Sequence, residues 1–189
     1  MANYYWAPLT FNPDGSIIPI SCNQPFKVTG SKIVRLYDAD VKNSIKGLND
    51  IAGNTKRIQS FVADKSGRLS AIEIPIYKAG AVNADLQVAV YKAGKEGSPA
   101  GEPLAIKTIA ASNIGWSIKR RTVHPGVSVT KGSAYTIVLS SATTVGGYGY
   151  VYSDHVTRMP ETLSGKLQSG DTFAAEQFRQ LVFKAIITK

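Results

Sequence analysis

From Arg57 to the C-terminus, apolar residues recur at every second position, and short turn-forming clusters break the runs. That period places alternate side chains on opposite faces of an extended chain, so it excludes a helical fold over this stretch. Leu69 to Tyr77 puts Ile72, Ile74 and Ile76 on one face and Ala71, Glu73, Pro75 and Tyr77 on the other. Leu86, Val88 and Val90 oppose Gln87, Ala89 and Tyr91. Ala134 to Ser140 groups Tyr135, Ile137 and Leu139, and a long final strand, Phe178 to Ile187, groups Leu181, Phe183, Ala185 and Ile187. Between them lie Lys78-Ala79-Gly80-Ala81, Lys92 to Pro99, His124-Pro125-Gly126 and Thr130-Lys131-Gly132-Ser133, which read as turns. About eight short strands at near-regular spacing predict an all-β, antiparallel β-sandwich, jelly-roll-like in its strand count. Pro75 points to an edge or a bulge, because proline cannot donate to a ladder.

The N-terminal part reads differently. Tyr4 to Phe11 and Ser16 to Ile20 form two strands around Asn12-Pro13-Asp14-Gly15, a type I turn with proline second and glycine closing. Residues 1–30 are therefore assigned to an N-terminal β-hairpin extension, and 31–189 to the sandwich module. Within the latter, Leu36 to Asn43 reads as a strand and Ser44 to Ile51 as a loop or one helical turn. Tyr77-Lys78-Ala79-Gly80 echoes Tyr91-Lys92-Ala93-Gly94. A hairpin whose strands end alike explains this echo, with the two tyrosines meeting as a cross-strand pair.

Composition narrows the class further. A hydrophobic share of 43% supports a packed core and excludes a wholly disordered chain. No apolar run approaches the ~20 residues of a membrane helix. The single cysteine, Cys22, allows neither an intrachain disulfide nor a cysteine-based zinc site. The first residues lack a charged start followed by an apolar stretch, so no signal peptide is expected, which fits a cytosolic protein, a mature secreted one or a module of a longer chain. The net charge of +9 invites an acidic ligand, yet the basic residues are dispersed, with Lys56-Arg57 and Lys119-Arg120-Arg121 the adjacent sets. Without a strong helix to carry them, nucleic acid is not an expected partner.

Catalysis finds little purchase. No nucleophile elbow, phosphate loop or zinc spacing occurs, and most carboxylates sit at turns. His124 beside Pro125 and His155 after Asp154 read as surface or turn histidines. Asp38 and Asp40 share a strand face, which makes structural calcium possible, but the loop lacks the glycine and terminal glutamate of a calcium-binding hand. No cofactor and no metal ligand set are assigned, and the chain is not expected to be an enzyme.

Aromatic residues carry the functional expectation. Tyr148, Tyr150 and Tyr152 alternate along one strand with Gly149, Val151 and Ser153. Three such rings stand roughly 6–7 Å apart along a strand face. A tyrosine ring is flat and apolar with a hydroxyl rim, which suits the C–H face and hydroxyl edge of a pyranose. Two readings of this ladder stand, a saccharide shelf with glycines clearing the approach, or a sandwich interior. Trp116, on one face with Ile118 and Arg120, is either core or a sugar platform. Lys119, Arg120, Arg121 and Arg158 supply donors for hydroxyls or carboxylates, arginine in a two-bond geometry.

Two stretches also carry a family resemblance. Tyr4-Tyr5-Trp6-Ala7-Pro8-Leu9-Thr10-Phe11-Asn12-Pro13-Asp14-Gly15-Ser16-Ile17-Ile18-Pro19-Ile20 resembles the closing hairpin of five-bladed β-propeller glycoside hydrolases of the family 43 type. Ile58 to Ala63, Ser66 to Ile72, Leu86 to Tyr91, Gly97 to Ala105, Trp116 and Lys131 to Ser140 are similar, in that order, to jelly-roll accessory modules appended to such enzymes. The match departs at Gly170-Asp171-Thr172-Phe173, where those modules often carry a tryptophan. The resemblance implies a secreted, extracellular, non-catalytic module that binds plant-type or acidic polysaccharide, joined to an upstream glycoside hydrolase domain, with no membrane partner. It also implies two alternatives, a support domain without a ligand of its own and an adhesin-like surface module. The candidate saccharide contacts are Tyr148, Tyr150, Tyr152, Trp116, Arg120 and Arg158.

Overall fold

The structure is a computed structural model that describes residues 45–153, 164–168, 172–176 and 180–188, all within one compact unit, Arg35–Lys189. The expected hairpin of residues 1–30, Asp38, Asp40, His155 and Arg158 lie outside the described residues. In chain order the strands are β1 (Ile45–Ile51), β2 (Lys56–Val62), β3 (Gly67–Ala79), β4 (Leu86–Ala93), β5 (Pro99–Ile109), β6 (Lys119–Val123), β7 (Val127–Val129), β8 (Ala134–Ser140), β9 (Gly147–Ser153), β10 (Ser164–Gln168), β11 (Thr172–Glu176), β12 (Gln180–Leu181) and β13 (Lys184–Thr188).

Two antiparallel sheets pack face to face as an all-β sandwich. One has the order β11-β10-β2-β8-β4-β5. The other runs β1-β9-β3-β13, with β12 on β9 and both β6 and β7 on β3. The alternating residues fill the space between them. Ile72, Ile74 and Ile76 from one sheet meet Val88, Val90, Ile137 and Leu139 from the other, all nearly free of solvent. Each such side chain contributes about 1.5–3 kcal/mol through apolar area removed from water. Among the described residues, the turns expected from Lys78 onward connect strands, and Gly80, Gly126 and Gly132 occupy three of them at φ 85, 72 and 78, where a side chain would be strained.

Four expectations change. Ser44 to Ile51 contains a strand, β1, whose register against β9 shifts between Leu48 and Ile51, so its pattern is not a clean alternation. The final strand is split: Leu181 pairs with Tyr152 on β9, while β13 pairs with β3, although Leu181, Phe183 and Ile187 all still reach the core. Pro75 lies in a central strand rather than at an edge. It falls where β3 changes neighbours, since β13 pairing stops at Glu73 and β9 pairing begins at Ile76. Tyr77 and Tyr91 belong to opposite sheets, so β3 and β4 form no hairpin and the rings make no cross-strand pair.

The interior also holds charge. Arg57 points inward from β2, is 2% exposed, and donates through Nε (3.0 Å) and Nη2 (2.5 Å) to the two carboxylate oxygens of Asp50 on β1. Its guanidinium lies 5.0 Å from the centre of the Tyr150 ring. Two residues along β2, buried Gln59 accepts the Leu181 N–H at 2.8 Å. A buried cation needs such partners, because an isolated one would cost several kcal/mol.

Candidate functional site

Strand β9 has β1 on one side and, in succession along its length, β3 and β12 on the other, and its tyrosines face the opposite sheet. Tyr148, Tyr150 and Tyr152 are 0%, 2% and 6% exposed. The Tyr150 and Tyr152 rings stand 6.1 Å apart, close to the spacing the alternation predicts. Tyr148 donates its hydroxyl to the Ala84 carbonyl at 2.7 Å, and burial, followed by the negative charge of Asp85, pushes its phenol above the ordinary value of 10.0. The saccharide-shelf reading of this ladder is therefore corrected: the rings are core. The glycine between them serves packing, since Tyr77 lies over Gly149 on the outer sheet face.

Trp116 behaves differently. It sits not on a strand but in the loop between β5 and β6, and it is 64% exposed. The loop is held at several points. Asp85 accepts the Ala111 N–H at 2.8 Å, a short 3-10 turn spans Ala111–Asn113, and the Lys78 N–H donates to the Gly115 carbonyl at 2.9 Å. The Lys78 ammonium donates to the Ala111 carbonyl at 3.3 Å and lies 5.8 Å from the Trp116 ring centre. A cation over the face of an indole is attracted by the ring quadrupole. The result is a flat apolar ring presented to water by an anchored backbone.

Arg120 and Arg121 leave β6 in opposite directions, as strand neighbours must. Arg120 is on the outer face and pairs with Glu73 at 3.1 Å, a partly exposed bridge of about 0–1 kcal/mol. Arg121 lies opposite core residue Ile74 and turns toward the flank of the sandwich. There, β5 of one sheet and β6 of the other border an open cleft of about 420 Å³, lined in part by Lys107, Thr108, Asn113, Arg121, Thr122 and His124. Among the described residues, no carboxylate side chain lines it. Sequence reading reached Arg121 but missed Lys107 and His124 as partners in one place. They stand on separate segments, and only the closure of the two sheet edges brings them together.

No group of three or more histidine, cysteine, aspartate or glutamate side chains that could hold a metal ion occurs among the described residues. Phe173, in the segment where the resembling modules often carry a tryptophan, is on β11 opposite Leu167.

No protein-family model, no curated protein and no solved structure matches this chain.

Proposed function

We propose that the protein is a non-catalytic carbohydrate-binding module whose ring platform is Trp116, not the tyrosine ladder. The observation that carries this reading is the exposed indole on an anchored loop with the Lys78 ammonium beside it. An indole face suits the C–H face of a pyranose, while neighbouring N–H donors orient hydroxyls. The family resemblance of the sequence adds the context of a secreted, polysaccharide-degrading enzyme with an upstream glycoside hydrolase domain. Affinity at one such site is on the order of 10 µM to 1 mM, because each exchanged hydrogen bond gains little over water.

Affinity electrophoresis in gels containing xylan, arabinan, galactan or pectin tests this directly. Retardation by at least one polysaccharide, lost in Trp116→Ala, is the expected result. Equal retardation of wild type and Trp116→Ala removes the indole from the site.

A support-domain reading has one observation in its favour. Leu104 and Ile106 are exposed on β5, an edge strand, as a second protein surface would require. No retardation by any polysaccharide, together with co-purification with a catalytic domain that Ile106→Glu abolishes, would favour it.

A further inference from the structure

We propose that the cleft between β5 and β6 holds an oxyanion carried by the saccharide, so that the ligand class is an acidic polysaccharide. This rests on the saccharide reading above and adds a charge requirement to it.

Three nitrogen-bearing side chains reach one cleft from both sheets: Lys107 from β5, Arg121 from β6 and His124 just beyond β6. The nearby carboxylates are engaged elsewhere. Glu73 pairs with Arg120 on the outer face, and Asp85 accepts the Ala111 N–H. Among the described residues no carboxylate lines the cleft, so its positive charge is not neutralised by its own lining. Arg121 donates through Nη1 to the Arg120 carbonyl at 3.3 Å, but its Nε is shielded from solvent and has no hydrogen-bond partner among the described residues. A shielded donor without an acceptor costs about as much as a lost hydrogen bond, and an anion with two oxygens matches the guanidinium fork. The ring of His124 is fixed by its Nδ1, 2.9 Å from the Ser70 carbonyl. That carbonyl can only accept, so Nδ1 carries a proton, and the other ring nitrogen of the neutral imidazole is left to accept from a saccharide hydroxyl, while Lys107 and Arg121 supply the donors for the oxyanion.

One loop, between β5 and β6, carries a residue of the cleft and the indole platform. Asn113 lines the cleft, Trp116 follows three residues later, and Lys78 contacts both the Ala111 carbonyl and the indole. The proposal places one pyranose on Trp116 and the charged group of the same chain in the cleft. The volume, about 420 Å³, lies within the ~300–1,000 Å³ of small-ligand sites.

The test is titration calorimetry on the full chain at low salt, with four probes. These are an oligogalacturonate, its methyl ester, a sulfated oligosaccharide and inorganic sulfate. The acid form is expected to bind about 10-fold tighter than the neutral ester, with the difference eroding as salt is raised. Lys107→Gln, at an exposed position, and Arg121→Gln should each remove most of that preference while leaving ester binding in place. Arg121→Lys keeps the charge but not the fork, and should recover only part of it. Tighter binding of the sulfated probe would keep the oxyanion assignment and name sulfate as its source. Binding of inorganic sulfate that Lys107→Gln weakens would support the same cleft. Equal affinity for acid and ester, both lost in Trp116→Ala, would overturn the charged cleft while the saccharide reading stands. Failure of every oligosaccharide to bind would overturn the charged cleft, and if no polysaccharide gel retards the protein either, the saccharide reading falls with it.

Discussion

Tyr77 and Gly149 stand directly opposite each other on β3 and β9, and the tyrosine ring occupies the space that a side chain on Gly149 would need. The same ring reaches Gly47 on β1, where an added Cβ would stand 2.9 Å from the Tyr77 hydroxyl. An aromatic ring laid over glycines restores contact that a bare strand lacks. Gly149→Ala should therefore destabilise by about 1–3 kcal/mol, the range for overfilling a packed site. Gly115→Ala, where nothing lies within 4 Å of the added carbon, should change little. Urea midpoints measure both. In a double-mutant cycle, Tyr77→Ala should absorb much of the Gly149→Ala cost. Additive costs would mean that ring and glycine do not interact.

Alternation along β9 was enough to group Tyr148, Tyr150 and Tyr152, because strand parity is local. It could not say which face meets the other sheet. That is decided by the opposing layer, and Gly149 and Val151 on the alternate face did not break the tie. Ile72, Ile74 and Ile76 were legible because apolar side chains leave one choice. Arg57 was not, since a buried arginine needs Asp50, whose approach depends on the irregular register of β1 against β9. The cleft was illegible for a similar reason: Lys107 and His124 meet only across two sheet edges.

The Arg57–Asp50 pair should be sensitive to which member is removed. Breaking a buried pair costs ~3–5 kcal/mol when a charge is left alone inside. Asp50 keeps 31% of its side chain in water, which places Asp50→Ala at about 3 kcal/mol. Arg57→Met leaves only a carboxylate that water can reach, and should cost less despite removing the larger side chain. Denaturant unfolding of both variants checks the order. A larger loss for Arg57→Met would show that the guanidinium matters mainly for packing.

Two phenols predict an alkaline limit. Burial raises the Tyr77 phenol first and the charge of Asp50 second, while burial and then Asp85 raise Tyr148. Both fold with their protons held more tightly than in the unfolded chain, whose phenols titrate near 10. Above that value the native state binds more protons, so stability falls as pH rises. The contribution is complete below about pH 10 and lost as pH climbs through the folded values. Phenolate absorbance should show late-titrating groups that Tyr77→Phe and Tyr148→Phe each reduce. Asp50→Asn should bring Tyr77 back toward 10. Tyr148→Phe should also cost ~1 kcal/mol at neutral pH, because the Ala84 carbonyl loses its donor. A single phenolate transition at the ordinary value in the folded protein would contradict the burial of both rings.

Truncating the ladder and truncating the platform should have opposite signatures. Tyr148→Ala, Tyr150→Ala and Tyr152→Ala each empty a sealed site and should cost ~3–5 kcal/mol, the range for removing a large buried ring. Trp116 already stands mostly in water, so Trp116→Ala should alter stability by no more than ~0.5 kcal/mol. If Trp116 carries the saccharide, its variant unfolds at the wild-type urea concentration yet migrates unretarded through polysaccharide gels. Ladder variants that stay folded should still be retarded, since their rings touch no ligand. The opposite pattern, stable ladder variants that lose retardation, would return the binding surface to β9 and require the two sheets to part there.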